Sequence, residues 1–213
     1  MVLSAMESNA EREAGRPVSG APRTNTRDIA RQAVRAELAE VAFGLFRRQG
    51  FDNVTVNDLA AAAGVSRSTF LRYFGTKEDA VLSAFDAHGE RIAAALRARP
   101  AAEGDWSALR SAMDAVVEPY RRDPERALAL ARLVRETPAL CARQLERQRA
   151  WHPLLEQALA ERAGPSGASV LALSVKAAAA LDCLNMAVDH WTASDGALDL
   201  IALLDEAFAA LSP

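Results

Sequence analysis

Apolar residues early in the chain recur at intervals of three and four. Ile29, Ala33, Val34, Leu38, Val41, Ala42, Leu45 and Phe46 fall on one face of an amphipathic helix, and Gly50 closes it as a C-cap. Two short helices follow. Thr55 with Asp58 opens a helix over Val56 to Ala63 in the manner of a capping box, and Gly64 stops it. Ser66 caps a second helix from Arg67 to Tyr73, which Gly75 ends. Thr76 with Asp79 starts another, and the spacing of Ala80, Val81, Ala84, Phe85, Ile92 and Leu96 predicts one long amphipathic helix ending before Pro100.

The remainder reads the same way. Trp106 to Tyr120 carries an apolar face through Leu109, Met113, Val116 and Val117. Asp123-Pro124-Glu125 is a helix opening with proline at the first helical position. Thr137-Pro138 repeats the device and begins a helix running to Ala163, with a kink expected at Pro153. Gly164 to Gly167 is a turn, and Ser169 to Trp191 and Asp195 to Leu211 are the last two helices. No strand is predicted and no internal repeat is found, so the fold class is all-α.

Composition agrees. Half of the 213 residues are hydrophobic and a quarter charged, which excludes a disordered or collagenous chain. Ala and Leu dominate the apolar half, while β-branched and aromatic residues are scarce. Two cysteines, Cys141 and Cys183, exclude a disulfide framework and suit a reducing compartment. Residues 1–25, rich in Ser, Gly, Pro, Asn and charge, read as a disordered tail without a signal peptide's apolar core. No run approaches the ~20 apolar residues of a membrane span, so a cytoplasmic protein without membrane contact is expected.

The net charge of −3 excludes a surface that is basic throughout and coats nucleic acid. That average conceals a split. Residues 1–77 hold 11 Lys+Arg against 8 Asp+Glu, whereas 78–213 hold 14 against 20. A basic first part and an acidic second part suggest different tasks.

Three helices with a tight glycine-containing turn between the second and third form the arrangement that lays a short recognition helix in a major groove. Here the turn is Ala63-Gly64-Val65-Ser66. The stretch FDNVTVNDLAAAAGVSRSTFLRYFGTKEDAV, Phe51 to Val81, resembles the DNA-binding region of the TetR family of bacterial repressors, and the preceding LAEVAFGLFRRQG is similar to that family's first helix. The resemblance implies a homodimer paired through its last two helices. It implies a helix-turn-helix DNA-binding domain over 26–80, joined by a long helix to an effector-binding and dimerisation bundle over 81–213. It also implies release of a palindromic operator in double-stranded DNA when a small molecule binds.

Candidate contacts follow from position. Thr55, and Thr76 with Lys77, stand at helix N-termini where phosphates are held. Ser66, Arg67, Ser68 and Thr69 occupy the first turn of the recognition helix, within reach of base edges, and Arg67 suits a fork onto guanine. Arg72 lies further along, and the resemblance gives Tyr73 a backbone contact. The chain departs from the family pattern at Leu71, where most relatives carry a phosphate-binding tyrosine. Ser66 and Thr55 are also required as caps whether or not DNA is bound. Arg23, Arg27 and Arg31 read either as a solvated run or as an arm entering a minor groove.

The second half is similar to regulators of this family with an acyl-CoA-like ligand-binding domain, through DPERALALARLVRETPALCARQLERQRAWHPLLEQALAERAG. An acyl-CoA effector needs an apolar tunnel, for which Leu128, Ala131, Val134, Leu140, Leu145 and Trp151 are candidates. It also needs a basic mouth, for which Arg132, Arg135, Arg143 and Arg147 are candidates. The opposing reading is plain core for the first set and an ion-paired face, with Glu136, Glu146 and Glu156, for the second. Asp182, Asn185 and Asp189 form a polar stripe that faces ligand, symmetry partner or water. A body that binds a protein partner is the alternative function, and a helical enzyme the third. His88, His152 and His190 are far apart, and no metal-ligand spacing, nucleophile elbow or phosphate loop occurs. No catalytic residue, metal or cofactor is therefore expected.

Overall fold

The computed structural model describes residues 26–164 and 169–211; the tail read over 1–25 and most of the turn read over Gly164 to Gly167 lie outside the described residues. All elements described are helical. They are α1 (Thr26–Gln49), α2 (Val56–Ala62), α3 (Arg67–Phe74), α4 (Lys77–Leu82), a single 3-10 turn (Ser83–Phe85), α5 (His88–Arg97), α6 (Asp105–Arg122), α7 (Pro124–Glu136), α8 (Pro138–Arg149), α9 (His152–Ala163), α10 (Val170–Ala193) and α11 (Leu200–Ala210). The chain divides into two units, Met1–Arg35 and Ala36–Pro213. In the first, the described part is the start of α1, where Ile29 and Val34 are exposed instead of forming a buried face. The second unit contains the core.

From Leu38 onward α1 is buried as its periodicity requires, through Leu38, Ala42, Phe43, Leu45 and Phe46. Phe51, Val54, Leu59, Phe70 and Phe74 belong to the same core. Phe46 and Phe51 stand 5.0 Å apart between ring centroids, and Phe70 and Phe74, one turn apart on α3, 5.1 Å. Each buried phenylalanine contributes about 1.5–3 kcal/mol relative to exposure. These rings fix how α3 sits on α1 and α2, and hence which of its residues face outward.

In the body, α5 packs on α6 and α9, α10 on α11, α9 and α6, and α7 on α8 and α6. Arg162 on α9 ties the end of α5 to the following loop by donating to the carbonyls of Leu96, Arg99, Pro100 and Glu103. Its guanidinium thus satisfies acceptors that a helix C-terminus leaves open. Trp106 Nε1 donates to Phe208 O at 3.0 Å, joining α6 to α11. α10 is long and apolar enough to cross a membrane by length and composition. Leu173, Ala177, Ala180, Leu181, Leu184, Ala187 and Trp191 are buried within the bundle instead.

Three helix boundaries differ from the sequence expectation. The long helix expected from Thr76 is interrupted after Leu82. There the Ser83 hydroxyl donates to Ala80 O at 2.8 Å, a local bond that competes with the helical ladder. Beyond the break, Phe85 packs on His88 and His88 on Trp151. The helix expected to kink at Pro153 is two helices, because proline offers no N–H and its ring clashes with the carbonyl of Arg149. The buried Trp151 sits between them. Finally, Asp195 and Gly196 take left-handed backbone (φ 57° and 75°), so α11 begins only after Asp199, whose side chain accepts from Ala202 N–H at 2.9 Å.

At the α5–α9 junction His88 is only 7% exposed. It lies edge-on to Phe85 (5.3 Å) and stacked with Trp151 (5.8 Å). Burial, reinforced by the Arg91 charge, draws its pKa from 6.5 down to about 4. Between those values the unfolded chain binds the proton and the folded chain does not. Protonation of His88 in the unfolded chain therefore lowers stability as pH falls from 6.5 toward 4, and this loss is absent above 6.5. Denaturant titrations should show stability falling below about pH 6.5 with a slope of up to about 1.4 kcal/mol per pH unit, and His88→Phe should flatten the decline down to about pH 5. An unchanged slope in the variant would contradict the assignment. Next to it, a Cβ on Gly89 would stand 2.7 Å from Cδ1 of Trp151. Gly89→Ala should cost about 1–3 kcal/mol of stability by overpacking, measured from the urea midpoint.

Candidate nucleic-acid interface and ligand cavity

The turn between α2 and α3 requires Gly64, whose φ of +65° is unfavourable for a side chain. Gly64 N–H donates to Ala61 O and Val65 N–H to Ala60 O, closing the turn. Val65 packs against the core between the helices. Ser66 caps α3 by accepting from Thr69 N–H at 3.1 Å, and its hydroxyl lies 2.9 Å from both Ser68 Oγ and Thr69 Oγ1. The start of α3 thereby presents Ser66, Arg67 and Ser68 as exposed residues, with Thr69 half-buried. Arg67 makes no ion pair among the described residues. One turn on, Arg72 is exposed and its guanidinium lies 5.9 Å from the ring centre of half-buried Tyr73. Leu71 is half-buried.

The flanking polar residues are engaged by the fold. Thr55 and Asp58 form a full capping box, with Thr55 Oγ1 donating to Asp58 Oδ2 at 2.6 Å. The Thr55 side chain, then its backbone N–H, hold the Asp58 carboxyl below the usual carboxylate range. Thr76 donates to Asp79 Oδ2 at 2.9 Å and accepts from Asp79 N–H. Lys77 turns inward. Its ammonium donates to Phe51 O (2.9 Å) and Val54 O (3.1 Å) and lies 4.3 Å from the Phe51 ring centre, pinning the loop before α2. Sequence reasoning saw the position of Lys77 at a helix start, but only the fold brings the carbonyls of the preceding loop to it.

A cavity of about 370 Å³ lies in the body. Its walls come from the 3-10 turn and α5 (Phe85, His88), α6 (Val116, Tyr120), α7 (Ala131, Val134, Arg135), α8 (Cys141, Gln144, Leu145, Gln148), Trp151, and α10 from Asp182 to Thr192. Arg135, Trp151, Asp182, Asn185 and Asp189, named from sequence, meet here. Arg132, Arg143 and Arg147 are not in its walls. Arg132 pairs with Asp195, Arg143 with Glu146 (3.1 Å) and Asp79 (3.5 Å), and Arg147 with Asp79 (3.1 Å) and Asp86. Ala131, Val134 and Leu145 line the cavity as the tunnel expectation has it, whereas Leu140 is wholly buried and Leu128 lies against Gly196.

Phe85, His88, Tyr120, Gln144 and Gln148 were missed as cavity residues. The one sequence signal was Cys141, Gln144, Leu145 and Gln148 at spacings of three and four on an otherwise charged α8. The Gln148 and Asn185 amides exchange two hydrogen bonds, at 2.7 and 3.1 Å. Burial pushes the Tyr120 phenol up to about 12, so it stays protonated.

Comparison with known proteins matches both halves. Residues 38–84 match the model of bacterial regulatory proteins of the tetR family, and residues 103–213, more than half of the chain, that of the MftR C-terminal domain. The HTH-type transcriptional regulator TcmR of Streptomyces glaucescens is 35% identical over 136 residues, which span 61% of this chain and 60% of that protein. The Mycobacterium tuberculosis protein named as the mycofactocin biosynthesis transcriptional regulator MftR is 28% identical over 171 residues, 80% of this chain and 85% of the other. Among solved structures, the transcriptional regulator FadR of Bacillus subtilis in complex with stearoyl-CoA shares the fold, with a TM-score of 0.57 at 21% identity over 83% of this chain and 96% of that one. With its helix-turn-helix head and all-helical body, the chain belongs to the TetR family and is a DNA-binding transcriptional regulator with an MftR-type C-terminal domain.

Proposed function

We propose that this regulator is a cytoplasmic, homodimeric repressor, released from a palindromic operator when a small, largely apolar effector enters the cavity walled by α6, α7, α8 and α10. The observation that carries the proposal is the double role of α8. Gln144, Leu145 and Gln148 border the cavity, while Arg143 and Arg147 of the same helix grip Asp79 at the start of α4. α4 directly follows the recognition helix. A ligand that displaces α8 therefore acts on the carboxylate that holds Thr76, the N-cap of α4, giving the two sites a shared element whose position both can bias.

In this reading residues 26–80 are the DNA-binding domain and 81–213 the effector and dimerisation domain. Arg67 reads a guanine, with Ser66, Ser68 and Thr69 beside it. Arg72, Tyr73 and the helix starts at Thr55, Thr76 and Lys77 set the register on phosphates. Dimerisation through α10 and α11 is supported by the apolar residues that α10 leaves exposed outside the cavity wall, Leu171 and Val175. Isologous pairing there gives two recognition helices and a two-fold operator. An acyl-CoA, the ligand class of the Bacillus subtilis neighbour, is one candidate effector; Arg135 is the cation in the cavity wall on which that version rests.

Gel retardation with palindromic DNA from the protein's own upstream region tests the core of the proposal. Arg67→Ala should weaken the specific complex by about 1–3 kcal/mol and relax the preference at one base pair. No retarded complex at moderate salt, or no effect of Arg67→Ala, would sink the assignment. Arg147→Met should raise the effector concentration needed for release more than it changes effector binding measured without DNA. Equal shifts in both would argue against coupling through α8.

A further inference from the structure

Given an effector-binding cavity, its walls also carry information about the ligand's chemistry. Two polar atoms in those walls are buried without a hydrogen-bond partner, His88 Nδ1 and Gln144 Oε1. Buried polar atoms are costly to leave unmet, so two such atoms on residues lining one cavity point to where a ligand's own polar groups belong once those side chains turn toward it. Other polar groups nearby are satisfied internally: Gln148 and Asn185 bond each other, and Thr192 Oγ1 donates to Val188 O at 2.7 Å. The charges in the wall are the Asp182 and Asp189 carboxylates against the single Arg135 guanidinium, which itself reaches Asp189 O at 3.3 Å. An anionic headgroup would face more carboxylate than cation there.

We propose that the effector is an uncharged aromatic molecule bearing hydroxyl groups, one donating to Gln144 Oε1 and another paired with His88 Nδ1, with its rings against Tyr120 and Trp151. The Gln144 oxygen only accepts, so the ligand supplies a donor. A hydroxyl both donates and accepts, so it pairs with Nδ1 in either tautomer of the imidazole, which burial keeps neutral. Indole and phenol rings offer flat apolar faces suited to an aromatic ligand. The cavity volume of about 370 Å³ is near the lower end of the range for small-molecule sites, room for two or three fused rings.

The test uses the full chain at neutral pH with four probes: 2,6-dihydroxynaphthalene, its dimethyl ether, 2-naphthoate and stearoyl-CoA. Thermal stabilisation and release of retarded operator DNA are read in parallel. The diol should stabilise saturably and release DNA, with the ether, the naphthoate and stearoyl-CoA at least about tenfold weaker. Gln144→Leu and His88→Phe should each weaken the diol by about tenfold, while the ligand-free melting temperature holds or rises because an unmet buried polar atom has been removed. A merely structural role would lower that temperature and leave the affinity unchanged. Binding of the ether, naphthoate or stearoyl-CoA as tight as that of the diol overturns the inference and leaves the effector-released repressor standing. So does a diol affinity indifferent to both substitutions. No response to any probe also overturns the inference, and retardation of operator in the same samples then decides separately whether the repressor reading survives.

Discussion

One carboxylate holds the regulatory end of this structure together. Asp79 Oδ2 accepts the hydroxyl of Thr76, the N-cap of α4, while its Oδ1 receives Arg147 at 3.1 Å and lies 3.5 Å from Arg143. The Asp79 and Arg147 side chains are largely shielded from water, so the pair is neither screened like a surface bridge nor cheap to break singly. Arg147 extends the network to Asp86 in the segment where the expected long helix is interrupted. The capped start of α4, the segment beyond its break and α8 are therefore joined by one set of contacts. Movement of any one of these elements must be accommodated by the other two.

The cavity is the complementary case, a place where the fold leaves interactions incomplete. Several buried polar groups elsewhere are met: Trp106 bonds Phe208 O, Lys77 bonds two loop carbonyls, and Arg162 collects four carbonyls through its terminal nitrogens, leaving only its Nε without a hydrogen-bond partner. His88 is kept neutral by rings that exclude water, and its Nδ1 and the Gln144 oxygen stay unmet. Concentrating unmet groups at one cavity makes it poorly satisfied when empty and improvable by a molecule of matching polarity.

Local chemistry made the head legible from sequence. Thr55 with Asp58, Ser66, Gly64 and the Phe70–Phe74 spacing each specify conformation within a few residues, and the helices lie where those signals put them to within a residue. Short-range rules failed where tertiary packing competed. Nothing near Ser83 announces that His88, with Phe85 against it, must reach a tryptophan more than sixty residues later. Pro153 was recognised as a disruption, but whether it bends or ends the helix depends on the burial of Trp151. The cavity was legible only in part. The polar stripe of α10 and Trp151 were visible as residues out of keeping with their helices. His88 and Tyr120 come from distant helices, and their convergence has no signature in spacing.

The arginines of the body show why charge composition alone misleads about ligands. Arg132, Arg135, Arg143 and Arg147 form a basic cluster in sequence, and a cluster of that kind suggests an anion. In the fold three of the four meet carboxylates, Asp195, Asp79 and Asp86, supplied by segments far away in the chain. What remains at the cavity is one guanidinium and two acidic side chains. The acidic excess of residues 78–213 is thus not a featureless surface property. Part of it neutralises the arginines and fixes α8 to α4, so the helix positions depend on the same charges that would otherwise have drawn an anionic ligand. In the head the converse holds, since Arg67 and Arg72 are left exposed on the outward side of α3. Positive charge is kept available where a polyanion would dock and is internally balanced where α8 meets α4, a division that the overall charge of −3 hides.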